Sequence, residues 1–125
     1  MDPFADAEAA LTDWERTADG VHGRFVFGRD LPVFIGHFPG NPLVPGVHQL
    51  AAVAILGRRA ISGESADPPE RVLAIPRCKW TAPVRPGDVL EVSARWQPQG
   101  DRWQIDGAVA VGGTATCSCR LILGR

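Results

Sequence analysis

The chain has 125 residues, 45% of them hydrophobic and 22% charged, with a formal net charge of −1 at pH 7. This is the size and composition of one soluble globular domain, residues 1–125, with enough apolar material to bury a core. The near-neutral balance excludes a broad basic footprint for nucleic acid, and no apolar run reaches the roughly 18 residues of a membrane span.

The first residues, Met1-Asp2-Pro3-Phe4-Ala5-Asp6, are acidic and lack the apolar core of a signal peptide, so the expected location is cytoplasmic. Ala5 to Leu11 is Ala-rich with acids early, which predicts a short helix. Asp19-Gly20 is a turn signal, and Val21 to Phe27 after it favours a strand with Phe25 and Phe27 on one face. His22 falls in that strand and reads as structural, with no partner evident.

The next stretch, Phe34 to Val47, holds three prolines, three glycines and His37. Proline fixes φ and glycine opens values other residues avoid, so this density predicts a rigid, irregular loop. Pro45 stands where a helix tolerates a residue without an N–H. From Val47 to about Ala60, Val47, Leu50, Ala51, Ala54, Ile55 and Arg58 recur at helical spacing. The middle of this segment is apolar all round, the pattern of a helix enclosed on every side. Arg58 and Arg59 end it, where cations suit the helix dipole. Ser62 to Pro69 is a loop.

Strand patterns follow. Val72 to Ala82 forms a long strand in which Pro76 is tolerable only at an edge or a bulge. Arg85-Pro86-Gly87-Asp88 is a turn, with Asp88 a turn residue. Leu90, Val92, Ala94 and Trp96 alternate with Glu91, Ser93 and Arg95. Pro98 to Asp101 turns the chain into Trp103-Ile105-Gly107-Val109-Val111, and Gly112-Gly113 turns it into Ala115 to Leu123. Short turns between alternating strands give an antiparallel meander, and one buried helix against such a sheet is an α+β domain. Three cysteines, with Cys117 and Cys119 on one strand face, argue against a disulfide framework and leave a zinc site incomplete, so no metal is expected.

Two stretches carry a resemblance. Gly36-His37-Phe38-Pro39-Gly40-Asn41-Pro42-Leu43-Val44-Pro45-Gly46-Val47 resembles the active-site loop and helix entry of the hot-dog-fold β-hydroxyacyl-thioester dehydratases, the FabZ/FabA-like family. Lys79 to Leu90, with its Pro-Gly-Asp turn, resembles that family's following strand and turn. The resemblance runs from about Phe25 to Leu123. It implies a curved antiparallel sheet wrapped around one long helix, paired as a dimer with active sites at the interface. It also implies dehydration of a (3R)-hydroxyacyl chain on acyl carrier protein, with no cofactor. The family's catalytic base falls on His37, whose imidazole titrates near neutrality. Its oxyanion donor falls on the backbone N–H of Gly46, at a helix start where the dipole favours negative charge. Phe38, Pro45, Val47 and Trp80 are the implied substrate-binding positions, although packing is the ordinary role of a strand tryptophan such as Trp80 or Trp96.

The chain departs from the family at the helix acid, fourteen positions after the histidine, where it has Ala51. Three readings follow. A related subunit supplies the carboxylate in a heterodimer; or His48, one helical turn before position 51, donates the proton within a homodimer; or the chain is a catalytically silent, acyl-binding partner. Pro45-Gly46-Val47-His48-Gln49-Leu50 is also similar to the aryl-polyene type of dehydratase, in which a Gln before the helix acid is familiar. Thioester hydrolysis on the same fold would equally want an acid near the helix, and Ala51 offers none.

Overall fold

A computed structural model of the protein describes residues 2–34 and 42–125. The elements are α1 (Pro3–Ala10), β1 (Leu11–Arg16), β2 (Val21–Val26), a 3-10 turn (Pro32–Phe34), α2 (Gly46–Ser62), β3 (Arg71–Trp80), β4 (Val89–Gln99), β5 (Arg102–Val111) and β6 (Thr114–Gly124). The strands form one six-stranded sheet in the order β1-β2-β4-β5-β6-β3, every neighbouring pair antiparallel. The expected α+β arrangement, one long helix against an antiparallel sheet, is what the chain forms.

Helix α1 starts where Asp2 caps it: the carboxylate accepts from the N–H groups of Phe4 and Ala5 at 3.1 Å each, and Pro3 occupies the first position. It ends one residue earlier than predicted. Leu11 opens β1, a strand that the sequence pattern did not announce because Thr12, Asp13, Glu15 and Arg16 all face solvent. Only Leu11 and Trp14 reach the core, too sparse an alternation to read as a half-buried strand.

Helix α2 is enclosed, as its all-round apolar middle predicts. Residues 48–57 are all buried, and the helix packs against β1, β2, β4, β5 and β6. Small residues set that distance. A Cβ on Gly107 of β5 would lie 2.3 Å from Val53 Cγ1, far inside contact, so only glycine lets the helix lie this close to the sheet. The helix also outruns its predicted end by two residues. Arg58 and Arg59 do not stop it; Arg58 Nε donates to Pro69 O at 3.3 Å and Arg59 pairs with Glu8 of α1.

Strand β3 lies at the sheet edge, and its pairing with β6 slips between Ala74 and Arg77, so Pro76 falls at an irregularity where its missing N–H breaks no ladder bond. The turn at Arg85–Asp88 is closed by Arg85 N–H to Asp88 Oδ2 at 2.8 Å. Gly112 and Gly113 have φ of +57° and +83°, the paired left-handed geometry of a two-residue hairpin that glycine alone adopts without strain. His22 gains a partner that lies 69 positions away in the chain, Glu91 Oε2 at 2.8 Å on the neighbouring strand β4. No helix among the described residues is long and apolar enough to cross a membrane.

Gly107→Ala tests the close approach of helix and sheet. Overpacking of this kind costs about 1–3 kcal/mol, so the urea midpoint should fall with an unchanged slope. An unaltered midpoint would mean that α2 is not held against β5 at this spacing.

Candidate active site

The N-terminal end of α2 opens onto an apolar groove of about 550 Å³, lined by Leu43 to Val47, Gln49, Trp80, Ala82, Pro83 and Val84. Two chain segments meet there. The extended backbone before α2 is tied to the β3–β4 connection by Val44 N–H donating to Val84 O at 2.7 Å. Thr81, just past β3, is held on β6 by its N–H to Thr116 O at 3.0 Å and its hydroxyl to Ala115 O at 2.8 Å. The described end of the first stretch, from Leu43, and the second stretch therefore converge on one groove.

Gly46 is the first residue of α2, and no side chain caps that end. The Gly46 N–H consequently has no acceptor among the described residues and carries the partial positive charge of the helix terminus. Trp80 packs directly on it: a Cβ at position 46 would lie 2.5 Å from the indole Cε2 and 2.6 Å from Nε1. A side chain at position 46 would therefore displace the indole. Trp80 is still 52% exposed and Val47 41%, so both present apolar surface to the open groove. Pro45 lines it as well. His37 and Phe38 lie outside the described residues.

His48 points elsewhere. It is fully buried, its ring meets Phe27 edge-on at 5.4 Å, and Nε2 lies 2.9 Å from Asp6 Oδ2 on α1. It does not line the groove. Its Nδ1 is buried without a hydrogen-bond partner among the described residues. Asp6 was unmarked in the sequence beyond being an acid early in α1. Their pairing joins residues 42 positions apart, which no local pattern reports.

Gln49 takes the other direction. It is only 3% exposed, and its Oε1 accepts from the Thr116 hydroxyl of β6 at 2.9 Å. Two residues on, Ala51 is buried and carries no functional group. No carboxylate among the described residues lines the groove.

The cysteines sit on β3 and β6 behind Trp80, with Cys78 opposite Cys119 and Trp80 opposite Cys117. All three are free thiols. Burial, with Cys117 beside it, pushes Cys78 up to about 11, and the hydrogen bond to Cys119 together with burial raises Cys117 as well. Thiols held in the protonated form are poor metal ligands and poor nucleophiles, and no group of three metal-binding side chains occurs among the described residues.

A family model described as ApeI-like, ApeI dehydratase, matches residues 13–117. Over 96 residues the chain is 38% identical to a 3-hydroxyacyl-[acyl-carrier-protein] dehydratase FabZ of Jannaschia sp. (strain CCS1). The match covers 70% of this chain and 59% of the relative, so the chain spans less than two thirds of that relative's length. Among solved structures, the dehydratase heterocomplex ApeI:P from Xenorhabdus doucetiae has a TM-score of 0.72 at 21% identity, over 92% of this chain and 96% of that one. The fluoroacetyl-CoA thioesterase FlK has a TM-score of 0.68 at 18% identity, over 88% of each chain. At these identities the structural likenesses establish the shared hot-dog fold.

Two measurements check the site's surroundings. Asp6→Ala strips a buried histidine of its partner, which should cost about 1–3 kcal/mol. Glu8→Ala, which breaks only the surface pair with Arg59, should cost no more than about 1 kcal/mol; equal effects of the two would show that the His48 contact is not special. Separately, Cys78 should alkylate at pH 8 roughly a hundredfold more slowly than an ordinary exposed thiol, accelerating as pH rises toward 11. Rapid labelling at pH 8 would contradict its burial.

Proposed function

This chain belongs to the ApeI-like dehydratases, and from that premise we propose that it dehydrates a (3R)-hydroxyacyl chain carried as a thioester on acyl carrier protein. In this reading the chain works as one subunit of a heterodimer. The observation that carries the subunit assignment is the pair Ala51 and His48: the helix-acid position bears a buried methyl group, and the nearby histidine is turned away to Asp6.

The proposed chemistry needs three things. His37 takes the proton α to the thioester carbonyl, a role suited to imidazole near neutral pH. The electron pair moves toward the carbonyl, and the enolate oxygen is held by the Gly46 N–H at the uncapped start of α2. The pair then returns to form the 2,3 double bond while hydroxide leaves C3 and takes a proton to become water. That last proton has no donor in the groove among the described residues, so a carboxylate of a related subunit supplies it. The heterocomplex form of the ApeI:P structural neighbour supports this arrangement. The apolar walls, with Val47 and Trp80 exposed at the mouth and Pro45 beside them, suit an acyl chain; Phe38 is the fourth proposed contact. The same groove without an acid gives no support to hydrolysis as the alternative reaction.

Mass-spectrometric turnover of 3-hydroxyacyl carrier protein, by the chain alone and mixed with a related dehydratase subunit that bears the helix carboxylate, tests the proposal. Loss of 18 Da only in the mixture, and a fall of about 10²–10⁴ in rate with His37→Ala, is the expected result. Full turnover by the purified chain alone would overturn the heterodimer assignment.

A further inference from the structure

Gln49 has the one amide side chain among the described residues of the groove wall, and half of that amide has no partner among them. Its Oε1 accepts from the Thr116 hydroxyl at 2.9 Å, whose single proton is shared with Val109 O at 3.2 Å. Its Nε2, with two N–H donors, has no acceptor among the described residues, although the side chain is 97% buried. Nε2 is also absent from the sealed, unpartnered polar atoms, which among the described residues comprise His48 Nδ1 only. Gln49 itself lines the groove, so its amide lies at the groove wall.

Gln49 lies three residues after Gly46, so the two share one face of the first helical turn, about 5–6 Å apart at Cβ positions. The 3-hydroxyl of a β-hydroxyacyl thioester stands two carbons from the carbonyl. A chain whose carbonyl oxygen meets the Gly46 N–H therefore carries its hydroxyl toward Gln49. The remaining groove walls are aliphatic apart from the Trp80 indole.

We propose that Gln49, anchored by Thr116, donates a hydrogen bond from its amide nitrogen to the 3-hydroxyl oxygen and so selects β-hydroxyacyl over plain acyl chains. The assignment rests on the dehydratase reading. An amide cannot supply the proton for the leaving group, but it can orient the C3–O bond toward the donor that does. Thr116 is a positioning residue: it fixes the amide rotamer, and with it the direction of the N–H donors.

The test is calorimetric binding to the assembled protein of two non-reacting probes, a (3R)-3-hydroxyacyl pantetheine amide and the matching acyl pantetheine amide, across chain lengths. Wild type should prefer the hydroxy probe about threefold to tenfold, the range of one neutral hydrogen bond. Gln49→Leu should abolish the preference by weakening the hydroxy probe alone. Thr116→Val, which keeps the β-branched shape in the sheet, should reduce it and serves if Gln49→Leu does not fold. A preference retained in both variants overturns the Gln49 assignment and leaves the dehydratase reading standing. Failure of wild type to bind either probe overturns the dehydratase reading itself.

Discussion

The enclosure of α2 is the constraint on which the rest of the molecule depends. A helix buried on nearly every side must be wrapped, and five strands do so at a distance that Gly107 permits and Val53 fills. Because the middle of the helix is locked in this way, its first turn is delivered to a fixed point at the sheet margin. Gly46 there has neither a side chain nor a cap, and the segment before it is pinned to Val84. Core packing and the exposed helix terminus are thus one design: the tighter the wrap, the better defined the direction of the N–H at its end.

The first turn of α2 is polar where its middle is apolar, and its two polar side chains leave in different directions. His48 is tied to α1 through Asp6, and Gln49 to β6 through Thr116. Burying such groups without partners would cost about 1–3 kcal/mol each, so the partners are needed for folding before any question of chemistry arises. Their consequences differ. His48 is sealed in the core, whereas Gln49 also lines the groove. Neighbouring residues with similar polarity have been sorted by tertiary contact into structure and site.

Ala51 stands at the position where the sequence motif would place an acid. Its methyl group sits under the wrapped sheet, fully consistent with the Ala-rich packing of α2, so a carboxylate is absent without any cost to the core. The groove is correspondingly apolar and open, with Trp80 and Val47 exposed at its mouth and the edge strand β3 bearing a half-exposed Ile75. Exposed apolar surface at an edge strand is the kind of surface that a protein contact covers.

By itself the sequence determined the elements with strong local signals. The all-apolar run of α2, the alternation of β4 to β6, the Pro-Gly-Asp and Gly-Gly turns and the edge placement of Pro76 all follow from periodicity and backbone stereochemistry. These act over a few residues and are written in order along the chain. The loop motif and Ala51 were equally legible. Tertiary structure alone decided that Leu11–Arg16 is a strand, since β1 exists by pairing with β2 rather than by its own alternation. It also decided that His48 meets Asp6, that Gln49 meets Thr116, and that Trp80 lies on Gly46. Each of those contacts joins residues far apart in the chain, and their energies depend on burial that exists only after the sheet has closed around the helix.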